Sequence, residues 1–429
     1  MSGSSLQEPV AAGTLARAIA RGHGPIRPQE TLWLLSVAHA VNHALGILLP
    51  LVYLDVIIDM GVSVESIVFL TAFGGIASGL AQLSYAKLTR MIPRGAILGI
   101  GGLVLGGAYA VQAVIPGFLG FSVANVISRV GGTPQHPVGN ALLAEQFPEH
   151  RRGFAISAHI AGGNVGTLMV AVVGAPLIAA LGWQVSVVLL GIPAVVMGIL
   201  VLAFVRESGA DRRAAVAAGS VRLAFSRIVR DRNLRAILLT SVVSGGGRGL
   251  GVVNLFVLIY LTATASVDQG TRDLMYAVLV VFSVPAPLAA GWLSDRLGRR
   301  RVIVGVYLGG AIAFAVFTLA GHALVGLWLG IVLLGTFSFA ESPQLQTFLA
   351  DLAPPALRDA AFAIYFTLAF VAGALWVALY GLIITALGDA QGIVVVFWLM
   401  AASFVAAALT ILRVGDDDRA AAGPMALPP

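Results

Sequence analysis

Long runs of apolar residues, separated by short polar segments, follow one another along almost the whole chain. A helix rises about 1.5 Å per residue, so roughly 20 apolar residues in a row cross the hydrocarbon core of a bilayer. The pattern therefore predicts an all-α integral membrane protein with twelve transmembrane helices, numbered here as spans one to twelve. The predicted spans cover residues 31–54, 64–86, 95–115, 117–144, 153–181, 183–205, 235–262, 274–293, 302–320, 323–350, 358–387 and 391–413.

The second half of this pattern is a blurred copy of the first. The sequence SVAHAVNHALG at 36–46 aligns with SVVSGGGRGLG at 241–251, and TPQ at 133–135 aligns with SPQ at 342–344. Duplicated halves are typical of secondary transporters, which bind their substrate near the midplane between the halves. We therefore predict two pseudo-symmetric six-helix bundles. The predicted segments are a tail at 1–30, a bundle at 31–205, a linker at 206–234, a bundle at 235–413 and a tail at 414–429.

Composition agrees with a membrane protein, because 58% of the residues are hydrophobic and only 11% are charged. The chain contains no cysteine, which excludes disulfides, thiolate metal sites and cysteine nucleophiles. The first 30 residues have no apolar core of the signal-peptide type, so we expect a tail and no cleaved signal. The basic residues are arginine with the single exception of Lys87, which is typical of GC-rich bacterial genomes.

The net charge of +6 is unevenly distributed, which argues against a nucleic-acid partner. All basic residues except Arg129, Arg248 and Arg272 lie in the tails or in and beside the connections from even to odd spans. Such loops face the cytoplasm in membrane proteins. We expect a multi-pass protein of the bacterial inner membrane with both termini in the cytoplasm.

One of these basic connections carries a motif, GWLSDRLGRRRVIV at 291–304. Gly298 permits a tight turn there, and Asp295 suits the positive end of a helix or an arginine. The loop resembles the signature loop of the major facilitator superfamily, G-x-L-x-D-R-x-G-R-R. The resemblance implies the twelve-helix fold and a gate that opens and closes at the cytoplasmic end. The loop residues assigned to this gate are Asp295, Arg296, Gly298 and Arg299.

Charged residues beside the neighbouring spans complete the predicted gate. We expect Asp295 to act with Asp351, with Arg358 and with the positive N-terminus of span eleven. Glu145 and Arg152 hold the matching places in the first half. The corresponding first-half loop, SYAKLTRMIPRG at 84–95, has no aspartate, so we expect the second-half loop to dominate the gate.

Away from the span ends, the predicted spans contain three charged residues, and each costs about 2.5–3.5 kcal/mol unless it faces a partner or a water-filled cavity. Arg129 lies in span four, Arg248 in span seven and Glu341 in span ten. In the superfamily fold that the signature loop implies, spans one, four, seven and ten line the central cavity. Arg129 followed by Val130 also resembles the fourth-helix motif of proton-coupled drug antiporters. The predicted substrate and proton pathway is formed by His39, Asn42, His43, Arg129, His136, Arg248, Glu341 and Gln344.

The spacing of His39 and His43 puts both on one face of span one, as in some metal sites. That face carries no carboxylate, so a polar cavity wall is favoured and we expect neither a metal nor another cofactor. Histidine titrates near neutral pH, so this pair rivals Glu341 as the carrier of a coupling proton.

A narrower resemblance concerns four short patterns. His39 with Asn42, His136-Pro137, Arg152-Gly153 and GGNVG at 162–166 together resemble the fosmidomycin-resistance branch of the superfamily. That branch implies proton-coupled efflux of a drug.

We predict a secondary transporter that works by alternating access, with efflux of a small organic compound as the leading function. Arg129 and Arg248 outnumber Glu341, which favours an anion. Uptake of such an anion by symport or exchange is the alternative. A polytopic membrane enzyme would need an acid or a cysteine beside the histidines, and a transporter-derived sensor would tolerate loss of the signature loop. The expected partners are a small-molecule substrate, protons and lipid, and the expected unit is a monomer.

Overall fold

The computed structural model describes residues 25–415, apart from the side chain of residue 171. Most of the two predicted tails, residues 1–24 and 416–429, lies outside the described residues. Within the described range every regular element is a helix. The spans are Pro28–Met60, Val64–Met91, Arg94–Val114, Gly117–Gly132 with Pro137–Gln146, Glu149–Leu181, Trp183–Phe204, Arg232–Ser244 with Asn254–Ala263, Gln269–Val281 with Pro285–Leu297, Arg299–Ala320, Leu324–Leu352, Arg358–Leu387 and Asp389–Ile411.

The structure confirms the predicted all-helical membrane fold. Nine helices in the described range are long and apolar enough to cross a bilayer, and two bent pairs bring the number to eleven. Span four is the twelfth, and it is interrupted by a 3₁₀ turn at Thr133–Gln135. Pro134 and Pro137 explain the interruption, because proline lacks the N–H that continues a helix. The linker folds into two short helices, Ala210–Ala217 and Val221–Arg230.

Large apolar side chains cover the outside of both bundles. Phe69 is 74% exposed, Leu119 is 79% exposed and Val325 is 84% exposed. A soluble protein rarely exposes so much apolar surface, whereas lipid tails accept it. The outer surface is therefore the lipid-facing surface.

The two bundles meet where spans five and eight cross, at a pair of glycines. A Cβ atom added to Gly291 would lie 2.6 Å from the carbonyl oxygen of Gly153, and one added to Gly153 would lie 2.8 Å from that of Gly291. Only glycine allows the backbones to approach this closely. Within the first bundle, Gly166 of span five lies against the backbone of Ala40 in span one, a close approach that only glycine allows.

The molecule is closed at one end. We call this the basic end, which carries residues 25–27, the linker and the connections from even to odd spans. Asn140 of span four donates to Gln346 of span ten at 2.6 Å, and Gln344 donates to Ser157 at 3.2 Å. Asn164 of span five reaches the carbonyl oxygen of Ser283 at 2.7 Å near mid-depth. Among the described residues, the polar contacts between the bundles thus lie between mid-depth and the basic end.

Candidate functional site

Glu341 and Arg248 form an ion pair inside the second bundle. Arg248 follows the turn Gly245–Gly247, where glycines interrupt span seven, and its Nε lies 2.7 Å from Oε1 of Glu341. The Glu341 side chain is fully buried, and the Arg248 side chain remains 16% exposed. Ser244 and Tyr307 donate to the second oxygen of Glu341 at 3.3 Å and 3.2 Å. The carboxylate is thus held by charge and by two hydroxyl groups, while the Arg248 side chain stays partly exposed.

Arg129 has only neutral partners among the described residues. Its Nε donates to Oδ1 of Asn125 at 2.8 Å, and a terminal nitrogen donates to the hydroxyl of Tyr53 at 2.7 Å. Gly74 of span two leaves room for the side chain, because a Cβ there would lie 2.6 Å from Cδ of Arg129. No described carboxylate lies within 4 Å of it. Arg129 is therefore a half-buried cation whose charge is not neutralised by a neighbouring acid.

The predicted histidines of spans one and four lie together, and the structure adds a fourth. The ring centre of His39 is 4.5 Å from that of His43, 4.6 Å from that of His136 and 4.3 Å from that of His159. His159 of span five was not among the residues predicted from the sequence. The glycines at 162 and 166, which bring span five against span one, were the signal that could have indicated its position.

The remaining predicted pathway residues have structural contacts. Asn42 donates to the carbonyl oxygen of Gly132 at 2.6 Å, where the first half of span four ends. Gln344 lies at the contact between the bundles described above. His136 stands beside Phe366 of span eleven, with ring centres 5.1 Å apart.

At the basic end, Asp295 binds the beginning of span five. Its two oxygens accept the backbone N–H groups of Gly153 and Phe154, both at 2.9 Å, and Arg299 pairs with the same carboxylate. The expectation that Asp295 meets Arg358 and span eleven is wrong. The signature loop crosses to the opposite bundle and binds the span that is equivalent to span eleven.

Asp351 extends this contact. Nε of Arg299 lies 2.8 Å from Asp351, and Arg152 of the other bundle pairs with the same carboxylate. Gly298 adopts a φ of +92° at the turn, which favours glycine. Arg296 does not join the network, since it is exposed and lies over the ring of Trp292 at 3.6 Å.

The first half closes with a different set of acids. Arg94 begins span three as Arg299 begins span nine, and its side chain is only 1% exposed. It forms a bidentate pair with Asp359 of span eleven, at 2.8 Å and 2.7 Å, and it also pairs with Glu145. Two linker acids, Glu207 and Asp211, each lie 3.5 Å from it. We expected the second-half loop to dominate the gate, but the structure contains a second charged network around Arg94.

The linker acids are buried in this network. Asp211 also pairs with Arg358, and Glu207 also pairs with Arg212. Burial raises the pKa of Asp211 and of Glu207, and the neighbouring arginines only partly offset this effect. We call Arg94, Glu145, Glu207, Asp211, Arg358 and Asp359 the Arg94 network.

Comparison with known proteins agrees with this fold. Residues 32–377 and 249–426 match the model of the Major Facilitator Superfamily. A 4-hydroxybenzoate transporter of Pseudomonas putida is 24% identical over 59% of this chain and 62% of its own length. A Na⁺, Li⁺, K⁺/H⁺ antiporter of Planococcus maritimus is 29% identical over 23% of this chain and 24% of its own length. The chain thus spans only part of the length of these relatives.

A solved structure of the superfamily transporter FucP in the outward conformation superimposes with a TM-score of 0.75 at 14% identity. The likeness covers 90% of this chain and 98% of that one, and at this identity it concerns the fold alone. Twelve spans in two bundles, the signature loop and the family match lead to one conclusion. The chain belongs to the Major Facilitator Superfamily, a family of membrane transporters rather than enzymes.

Proposed function

We propose that this protein is a proton-coupled transporter of a small organic carboxylate in the bacterial inner membrane, with its basic end in the cytoplasm. The observation that carries the proposal is Arg129, a half-buried cation in the membrane interior whose partners within residues 25–415 are all neutral. A charge in that position is costly unless a partner arrives. A substrate carboxylate supplies that partner, because guanidinium and carboxylate groups form paired charge-assisted hydrogen bonds.

The Arg248–Glu341 pair supplies a coupling mechanism. Arg248 pairs with Glu341 at 2.7 Å in this conformation. An anion that approaches the exposed part of Arg248 competes with Glu341 for that cation, and a buried carboxylate without its cation readily takes up a proton. Substrate binding and proton binding are then linked through one arginine. His39 and His43 are the rival proton carriers.

Uptake by symport is the direction we favour. The Pseudomonas relative carries the name of an aromatic-acid transporter, which supports an organic acid over a drug as the substrate. The relatives described above do not support the fosmidomycin-resistance branch. The Planococcus relative is named as an antiporter, so proton-coupled exchange is the second candidate. A monomer is the proposed working unit, because one chain supplies both bundles.

Reconstitution into liposomes tests the proposal. We expect labelled 4-hydroxybenzoate to exchange across the membrane by counterflow, and phenol, which lacks the carboxylate, not to compete. Arg129→Gln should lower the apparent affinity by about tenfold or more, since charge-assisted hydrogen bonds contribute about 1.5–3 kcal/mol. Arg272→Gln, which removes a partly exposed arginine at the opposite end, is the matched control.

Two results would count against the proposal. One is counterflow of neutral aromatic compounds that equals that of carboxylates. The other is an Arg129→Gln variant with unchanged affinity for every carboxylate that the wild type transports.

A further inference from the structure

Proton coupling through Arg248 and Glu341 leaves the four clustered histidines without a role. His39 and His43 lie one turn apart on span one, and His136 lies at the break in span four. One ring nitrogen from each of these three residues falls within 4.8 Å of the others. His39 is fully buried, whereas His43 and His136 are partly exposed, and His136 stands at the contact between the bundles. The cluster is therefore buried on one side and accessible on the other.

Hydrogen bonds around the cluster fix which nitrogens carry protons. Nδ1 of His39 lies 2.8 Å from the carbonyl oxygen of His159, so it donates and leaves Nε2 as a lone pair. Nδ1 of His43 lies 3.4 Å from the hydroxyl of Thr167, which itself donates to the carbonyl oxygen of Gly163. Nε2 of His43 is thus also a lone pair. A ring N–H bound to a backbone or hydroxyl oxygen is the usual support of a metal-binding histidine.

Several of these nitrogens are buried without a partner. Nε2 of His39 and Nδ1 of His136 have no hydrogen-bond partner among the described residues. Each unsatisfied buried polar group costs about 1–3 kcal/mol. A metal ion bound by imidazole nitrogens would satisfy several of them at once. In such a site each nitrogen lies about 2.0–2.1 Å from zinc, which puts the nitrogens about 3.3 Å apart. The nitrogens now lie within 4.8 Å of one another, so they would approach by up to about 1.5 Å when the ion binds.

We propose that His39, His43 and His136 form a binding site for a divalent transition-metal ion of the zinc class. Three neutral imidazoles suit zinc, cobalt or nickel, while magnesium and calcium require oxygen ligands that this cluster lacks. Three histidines leave a fourth position open, and it faces the accessible side, where water or an anion completes the coordination. The backbone carbonyl group of His159 orients the His39 ring. The site goes beyond the proposed function and does not depend on it.

Cobalt titration tests the site directly. The full-length protein, purified without a polyhistidine tag and stripped of metal, should bind one equivalent of Co²⁺. The bound ion should show the intense visible spectrum of four- or five-coordinate cobalt, and Zn²⁺ should displace it. His39→Gln and His136→Gln should each weaken binding by at least about tenfold. His322→Gln is the matched control, because His322 lies at the opposite end and bonds to the carbonyl oxygen of Ala265 at 3.1 Å.

A cysteine variant keeps the test decisive if the glutamine variants fold poorly. The chain has no cysteine of its own, so His43→Cys introduces the sole thiol. This variant should retain Co²⁺ and gain a sulfur-to-cobalt charge-transfer band in the near ultraviolet. The proposal is overturned if no saturable Co²⁺ binding occurs, if the spectrum is that of six-coordinate cobalt, or if the cysteine variant binds cobalt without this band. The assay contains no carboxylate and measures no transport, so its failure leaves the proposed function standing.

Discussion

The contact between Asp295 and span five makes the strongest mechanical prediction. Asp295→Asn keeps the size of the side chain but removes its charge and one of its two acceptor oxygens. Of the two backbone N–H groups that the carboxylate now accepts at 2.9 Å, only one can still be satisfied by the amide oxygen. The amide nitrogen then faces either the other N–H group or Arg299, and both are donors.

The expected magnitude follows from these contacts. A hydrogen bond to a charged group contributes about 1.5–3 kcal/mol, and an ion pair near the surface adds at most about 1 kcal/mol. Arg299 keeps Asp351 and the carbonyl oxygen of Glu149 as partners, so only part of its interaction is lost. A net loss of about 2 kcal/mol would lower the ratio of the closed to the open basic end about 30-fold.

Spin-label distances measure this ratio. Lys87 of the first bundle and Arg301 of the second are exposed at the basic end, and replacing both by cysteine gives two labels in a chain without other cysteines. We expect a longer-distance population to grow in the Asp295→Asn variant and turnover to fall. Asp273→Asn is the control, because it changes an exposed acid at the opposite end of the same span. Unchanged distances together with normal turnover would refute the assignment of Asp295 to the gate.

Three further predictions use the same preparations. Glu341→Gln should keep counterflow but lose accumulation driven by a pH gradient, because it removes the titratable partner of Arg248; accumulation by this variant would transfer the proton role to the histidines. Gly291→Ala should open the basic end, because its Cβ would lie 2.6 Å from the carbonyl oxygen of Gly153 and overpacking costs about 1–3 kcal/mol; Gly305→Ala, with nothing within 4 Å, is the control in the same distance assay. Burial raises the pKa of Asp211 in the closed form. The closed form therefore binds a proton at Asp211 more tightly than an open form in which Asp211 is hydrated. Protonation thus stabilises the closed form at low pH, and this stabilisation is lost as the pH rises through the raised pKa. Acidification of the basic side should thus favour closure in the distance assay, and Asp211→Asn should weaken that pH dependence; equal pH dependence in both proteins would contradict it.

The fold was predictable because the bilayer dictates the length and the apolarity of each span. The breaks in spans four and seven were not predicted, although prolines near 134 and glycines near 246 accompany them. The partner of Asp295 was not predictable. The loop motif indicates an acid at the end of span eight. It does not indicate whether that acid contacts its own bundle or the other one.

The networks inside the molecule were only partly predictable for the same reason. The acids around Arg94 come from span four, the linker and span eleven, which are far apart in the sequence. The sequence argued against a metal site because the histidine-bearing face of span one carries no carboxylate. The third imidazole, His136, comes from span four, and only the packing of the first bundle brings it to span one.

The Arg94 network changes how many parts move when the basic end opens. Arg94 and Glu145 belong to the first bundle, whereas Asp359 belongs to the second. Opening of the basic end therefore breaks the pair between Arg94 and Asp359. Asp211 lies on the linker and touches both Arg94 and Arg358, so it can follow either bundle. The connection between the halves is thus part of the closed contact rather than a passive tether. We expect it to exchange partners as the basic end opens, so that the arginine of each bundle stays beside a negative charge.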